Sequence, residues 1–322
     1  MPVPARRIGN TVSHEARKQY ARIRAYPTID TWLNPITRGL ARRLANQEWR
    51  QTIKEIDFPY RITELDIGSV HCAKYETNMT AQNRKVILYV HGGGLVAGSA
   101  IINAPTVLPI CQLTGINAIG VDYTLLPDAR FPVQIEEVTS VYKLLLESGE
   151  YDDIILVSDS MGGTISLAAL MQWRDDGLKL PTAGVFLSPV VDGLGVSDTN
   201  KTLDGHDPLI KAYGGKASQK LFGFYAPGED LGDPRVSPIY GDFSGLPPLL
   251  AQVGSREIVL GETAKLLQNA RRAGVDTTLQ VFDGMFHLFH MHWSIEEAKH
   301  AHEDIAAFIK AKTKDVPLNA VP

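Results

Sequence analysis

The stretch Asp153-Ile154-Ile155-Leu156-Val157-Ser158-Asp159-Ser160-Met161-Gly162-Gly163-Thr164 decides how the rest of the chain is read. Ile154–Val157 is continuously apolar, as a central parallel strand buried on both faces requires. From Thr164 to Trp173 the residues read as a helix, so the chain turns sharply from strand to helix around Ser160. A serine on such a turn, between small neighbours, has the form of a nucleophile elbow, in which a tight turn exposes the hydroxyl at the top of a sheet. The crowded position two before it holds Ser158 where glycine is usual. Read alone, the stretch also fits a plain helix start capped by Ser160. The other strand ends have to arbitrate.

In an open α/β sheet, ligands bind at the carboxyl ends of the strands. Val86–Val90 runs into His91-Gly92-Gly93-Gly94. Successive glycines let the backbone turn its N–H groups outward, to a phosphate or to a developing oxyanion. A dinucleotide site competes here, because Gly92-x-Gly94-x-x-Ala97 fits the loose fingerprint and Asp122 ends the next strand. That acid lies 30 positions beyond Gly92, whereas a ribose ligand is expected after about 20. Two later strand ends tip the balance. Leu249–Val253 leads into Gly254-Ser255-Arg256-Glu257, and Thr277–Phe282 into Asp283-Gly284-Met285-Phe286-His287. The order Ser160…Glu257…His287 is that of a hydrolytic triad on this class of sheet. A serine hydroxyl is a poor nucleophile until an imidazole takes its proton, and a carboxylate must fix and stabilise that imidazole.

Each partner has rivals. Glu262 and Asp283 are alternatives to Glu257, although Glu262 falls about one helical turn too late. His290 and His292 lie close to His287, but no HExxH or carboxylate spacing supports a metal there. The N–H groups of Gly93, Gly94 and Met161 are the expected oxyanion hole, with His91 and Gly92 bracing the loop. Ser140-x-x-Lys143 matches a serine/lysine pattern, but it sits inside an amphipathic helix with no Lys-Thr-Gly elsewhere.

Beyond these ends, strands are expected near 62–67, 70–76, 85–91, 117–123, 153–159, 184–190, 248–254 and 277–283, the first two as an antiparallel edge. Helices are expected at 133–147, after Met161, at 259–272 and at 294–311. Strand–helix alternation predicts a mostly parallel sheet with helices on both faces. Almost sixty residues separate Val190 from Pro248, too many for a compact connection, so an insertion is expected there. The first fifty-odd residues read as helix, with Trp32, Leu33, Ile36, Leu40 and Leu44 at three- and four-residue intervals. The expected division is therefore 1–55 as N-terminal cap helices, 192–235 as cap insertion, and 56–191 with 236–322 as one catalytic core.

The 322 residues carry 32 Lys and Arg against 36 Asp and Glu, which excludes a globally basic nucleic-acid binder. The charge is uneven: residues 1–50 hold ten basic and three acidic side chains. A helical face with arginines solvated or paired to the acidic body is the simpler reading, a surface for a partner or anionic membrane the other. No stretch approaches the roughly 18 apolar residues of a membrane helix. Arg6-Arg7 suggests a twin-arginine signal, but polar residues follow it. With only Cys72 and Cys111, a cytoplasmic chain with reduced thiols is expected.

Taken together, these motifs resemble the hormone-sensitive-lipase-like (bacterial family IV) esterases, a branch of the α/β hydrolases. The resemblance covers roughly residues 60–311. It rests on His91-Gly92-Gly93-Gly94 with Gly98-Ser99, Val121-Asp122-Tyr123-Thr124-Leu125-Leu126-Pro127-Asp128 with Phe131-Pro132, and Asp159-Ser160-Met161-Gly162-Gly163. Leu187-Ser188-Pro189 with Asp192, and Gly284-Met285-Phe286-His287, complete it. The chain departs from the pattern at Thr124, where arginine is usual, and at Arg256, where many members carry the triad aspartate. Members with a Gly-Ser-x-Glu stretch are read as using that glutamate, here Glu257. The resemblance implies an eight-stranded α/β-hydrolase fold, a cap over the site, and hydrolysis of short-to-medium acyl esters without a cofactor. A narrower similarity to monoterpene ε-lactone hydrolases adds lactones to the expected substrates, and relatives that dimerise make a homodimer an expectation. A non-catalytic ligand-binding relative and a nucleotide-dependent oxidoreductase are the rival readings; neither nucleic acid nor membrane is an expected partner.

Overall fold

The computed structural model describes residues 9–23, 28–80, 83–210 and 215–313. Arg6, Arg7 and Arg24 fall outside them. Eight strands form one sheet: β1 (Tyr60–Ile67), β2 (Val70–Thr77), β3 (Lys85–Val90), β4 (Asn117–Val121), β5 (Asp153–Asp159), β6 (Ala183–Leu187), β7 (Leu249–Gly254) and β8 (Thr277–Phe282). Their spatial order is β1-β2-β4-β3-β5-β6-β7-β8. β2 runs antiparallel to β1 and β4, and every other neighbouring pair is parallel. All eight expected strands are present, with the antiparallel edge at the predicted end.

The alternation of strand side chains divides the core in two. Val86, Leu88 and Val90 of β3, with Ile154 and Leu156 of β5, pack on one face against α5 (Val133–Glu147), α6 (Met161–Asp175) and α9 (Leu260–Arg272). Ile87, Tyr89, Ile155 and Val157 face the other way, against α4 (Ala104–Thr114) and α10 (Glu296–Lys312). These central strands have to be apolar on both sides because neither of their faces meets water.

α4 was not among the expected helices. Its sequence Ala-Pro-Thr-Val-Leu-Pro-Ile-Cys-Gln-Leu-Thr contains an internal proline, Pro109, and residues 104–111 are all buried. With no polar face there is no helical period to read. Its end is conventional: Gly115 closes it in the left-handed conformation at φ 73°.

At the N-terminus lie α1 (His14–Arg22), α2 (Ile29–Leu33) and α3 (Arg38–Thr52), and an inserted cap region between β6 and β7 carries α7 (Thr199–Thr202) and α8 (Lys216–Tyr225). The two stretches meet: Lys220 on α8 pairs with Asp30 on α2 at 2.6 Å, and Arg38 lies over the Phe224 ring. α1 packs elsewhere, its Ala16 and Tyr20 against Phe286 and Ala298 of the core.

The apolar period falls on two helices, with Trp32 and Leu33 on α2, Leu40 and Leu44 on α3 and Ile36 between them; Trp32 packs against the core, but the last three do not. Ile36, Leu40 and Leu44 are 88%, 63% and 54% exposed, whereas Ala41 and Ala45 are buried. Small side chains set the packing face because they let the helix approach its neighbours closely. The arginines are also not all solvated or paired with acids: Arg42 donates to the carbonyls of Val96 at 2.5 Å and Leu126 at 2.6 Å.

Removing packing on these two kinds of surface should have unequal effects. Leu156→Ala, at a fully buried site, should lower unfolding free energy by about 2–5 kcal/mol in denaturant titration. Leu40→Ser on the exposed stripe should stay within about 0.5 kcal/mol of the parent.

Candidate active site

The turn from β5 to α6 holds Ser160 at φ 49° and ψ −123°, a conformation that side chains other than glycine rarely adopt. Surrounding contacts enforce it. The Ser160 N–H donates to the Leu187 carbonyl at 2.9 Å, and its carbonyl accepts from Gly163 at 2.9 Å and Val190 at 3.0 Å. Glycine is required where strands crowd the turn: a Cβ on Gly162 would overlap the Val90 carbonyl, and one on Gly92 would lie 2.5 Å from Asp159 Oδ2. β3 and β5 are neighbours in the sheet, which sets the glycine loop beside Ser160.

His287, five residues past β8, reaches Ser160 Oγ with Nε2 at 2.9 Å and Glu257 Oε2 with Nδ1 at 2.8 Å. Glu257 is fully buried, and its second oxygen is also used. Oε1 accepts from Ser188 Oγ at 2.8 Å and from the Gly254 N–H at 2.5 Å. The ends of β5, β6, β7 and β8 thus supply Ser160, Ser188, Glu257 and His287 to one hydrogen-bonded chain. Burial alone would hold the His287 imidazole neutral. The hydrogen bond and charge of Glu257, helped by the charges of Asp207 and Asp159, outweigh burial and raise its pKa above the ordinary histidine value.

The rivals are engaged elsewhere. Glu262 accepts the Val191 N–H at 2.8 Å, and burial pushes its carboxyl well above the usual range. Asp283 is exposed and accepts from Thr11 at 2.7 Å. His290 contacts Gln252 Oε1 at 3.1 Å and is held neutral by burial, while His292 sits between Gln19 and Glu55. Asp122 contacts the Ala100 N–H at 2.5 Å, so the acid of the dinucleotide reading is occupied. No group of metal-ligating side chains occurs among the described residues.

The glycine loop needs its glycines for conformation as well as space. Gly93 and Gly94 have φ of 109° and 64°, and among the described residues no backbone acceptor takes up their N–H groups. His91 is buried, stacks on Tyr123 at 4.4 Å, and contacts the Gly92 carbonyl through Nδ1 at 2.7 Å. Burial lowers its pKa. Asp159 accepts from Tyr89 at 2.6 Å, and burial raises its carboxyl to about 6.

Above Ser160 and His287 opens a cavity of about 390 Å³ that Gly93, Gly94 and Met161 also line. Trp32 and Trp49 wall it from the N-terminal helices, Leu209, Ile210 and Leu221 from the insertion.

The family model of the alpha/beta hydrolase fold matches residues 87–291. An acetyl-hydrolase of Streptomyces hygroscopicus is 31% identical over 245 residues, covering 76% of this chain and 81% of that protein. An esterase of Acinetobacter venetianus is 32% identical over 236 residues, covering 72% and 77%. A crystal structure of an esterase from the bacterial hormone-sensitive lipase family superposes with a TM-score of 0.78 at 30% identity, covering 88% of this chain and 95% of the other. A hormone-sensitive lipase from a metagenome library gives 0.76 at 30%, covering 84% and 92%. This chain is a bacterial hormone-sensitive-lipase-family α/β hydrolase.

Within this family IV chain, the two departures from the usual pattern have local accounts. Thr124 donates through both its N–H and hydroxyl to Glu137, at 2.7 and 2.6 Å. Arg256 stacks its guanidinium over the Tyr20 ring at 5.3 Å. Two residues of the site escaped assignment from sequence. Ser188 was visible only as part of Leu187-Ser188-Pro189, although its φ of 47° marks a second strained strand end. Asp207 lies in the insertion, far in sequence from the residues it meets.

Gly162→Ala tests the crowding at the turn. The family IV hydrolase so altered should lose about 1–3 kcal/mol of stability, as overpacked sites do, read as a lowered thermal midpoint. Gly223→Ala, where a Cβ meets nothing within 4 Å, should not.

Proposed function

We propose that this serine hydrolase cleaves carboxylic esters or lactones through an acyl-enzyme on Ser160. The observation that carries the reading is His287, within hydrogen-bond reach of Ser160 on one side and Glu257 on the other, at the floor of a largely apolar-walled cavity. Ser160 Oγ attacks the carbonyl carbon as His287 Nε2 takes its proton. The negative charge that forms on the carbonyl oxygen is met by the N–H groups of Gly93, Gly94 and Met161. Collapse expels the alkoxide, which takes the proton from the imidazolium. Water then attacks the acyl-enzyme, gives a proton to His287, and leaves the acid with Ser160 restored. With a lactone the freed hydroxyl remains on the acyl chain, and the second half releases a single hydroxy acid.

Glu257 holds the imidazole in the tautomer that keeps Nε2 free to accept, and it stabilises the imidazolium. Ser188 and the Gly254 N–H fix Glu257 in turn. We assign the cap to 1–55 and 192–235, set on a core of 56–191 and 236–322; the mixed walls of the cavity support this division. A cavity of about 390 Å³ lies at the small end of ligand sites and favours short to medium acyl groups. The names of the similar acetyl-hydrolase and esterase accord with that range.

The test is hydrolysis of p-nitrophenyl esters over a chain-length series, with ε-lactones beside them and fluorophosphonate labelling. Ser160→Ala should lose ester hydrolysis and the label together. Because the base must be neutral, kcat/KM should fall as pH drops through the His287 pKa. That pKa is raised, so the acid limb should lie above the 6.5 of an unperturbed histidine. Wild-type inactivity on every ester and lactone, with no label on Ser160, would overturn the reading.

A further inference from the structure

Asp207 is 1% exposed and comes from the insertion, not from the sheet. Its Oδ2 accepts the main-chain N–H of His287 at 2.7 Å, and its Oδ1 accepts from Leu209 at 2.7 Å and Ile210 at 3.2 Å. Leu209 and Ile210 line the cavity. One buried side chain therefore joins a wall of the substrate cavity to the backbone of the imidazole. The Tyr20 hydroxyl donates to the carbonyl of His206, so α1 pins the same turn from outside.

We propose that Asp207 is a positioning residue for His287, transmitting the placement of the cap insertion to the base and adding a negative charge behind it. The proposal rests on the assignment of Ser160 and His287 made above. A neutral side chain of this size would satisfy some of these N–H groups, whereas a carboxylate accepts at both ends at once and also favours the imidazolium. Burying an anion is expensive unless it is compensated. Here burial pushes the Asp207 carboxyl up to about 7, against the pull of the His287 charge and of the N–H groups of Leu209 and His287. Glu257 also faces Asp207 and opposes its ionisation. On the α1 side stand Tyr20, pushed up to about 12 by burial and then by Asp207, and the Arg256 guanidinium over its ring. His287 itself faces Glu257, Asp207 and Asp159, and its charge disfavours protonation of buried His290.

The experiment compares wild type, Asp207→Asn and Asp207→Glu, with Ser160→Ala as the blank, on p-nitrophenyl butyrate across pH. Thermal unfolding and fluorophosphonate labelling of each variant run alongside. Asp207→Asn should lower kcat about ten- to a hundredfold, the scale of a misplaced catalytic group, with a much smaller change in KM. Its acid limb should move to lower pH, because the charge that Asp207 gains as pH rises through about 7, and that favours the imidazolium, has gone. Asp207→Glu keeps that charge, so its acid limb should stay with wild type even where kcat falls. If Asp207→Asn does not fold, Asp207→Ser supplies the uncharged comparison. An acid limb unmoved in the uncharged variant, whether activity is kept or lost in step with folded protein, overturns the proposal and leaves the Ser160 assignment standing. Failure of the wild type to label at Ser160 overturns both.

Discussion

The fully buried carboxylate of Glu257 is the constraint on which the site depends. A carboxylate removed from water must have its oxygens satisfied, or it costs several kcal/mol or shifts to its neutral form. Three donors satisfy it, Ser188 after β6, Gly254 at the end of β7 and His287 after β8, and Ser160 is reached through the imidazole. Those groups converge only if β5, β6, β7 and β8 lie side by side in parallel, with their carboxyl ends level. The sheet order and the parallel register provide this. The apolar continuity of β5 through β7 is thus part of the chemistry, because it buries the platform from which the site projects.

Close approach is the second requirement, and glycine supplies it. Gly92 and Gly162 let the loop after β3 and the first turn of α6 meet at van der Waals distance around Ser160. Gly93 and Gly94 take left-handed backbone conformations where they line the cavity. The strain at Ser160, Ser188 and Leu288, all non-glycine residues with positive φ, is concentrated around the same few ångströms. Such conformations persist where surrounding structure over-determines them, and they gather at functional sites.

Much of this was legible in the sequence, for identifiable reasons. The central strands β3 to β7 announced themselves as short apolar runs, whereas β1, β2 and β8 at the edges were read from their β-branched residues. Ser160 and His287 were legible because their strand ends carry residues that mere packing does not ask for. Glu257 was distinguishable from Glu262 by spacing, since one helical turn separates a side chain facing His287 from one facing Val191, and by its Gly-Ser-x-Glu stretch. What stayed hidden was of two kinds. α4 has no amphipathic signature because water touches none of its first eight residues. Asp207 meets His287 eighty positions away, and no local pattern encodes such a meeting. The period of Trp32, Leu33, Ile36, Leu40 and Leu44 did mark helix, in α2 and α3, but it did not tell which face of α3 packs, because Ala41 and Ala45 decide that.

The measurement that bears most directly on this account is the proton NMR spectrum at low field. There a histidine Nδ1–H bonded to a carboxylate gives a resolved resonance. The account predicts that resonance in the wild type and in Glu262→Gln, and its loss in His287→Ala. In Glu257→Gln it should move upfield or vanish, because a neutral amide is a weaker acceptor than the buried carboxylate. A resonance unchanged in Glu257→Gln but lost in Glu262→Gln would contradict the assignment of Glu257 and the strand-end convergence built on it.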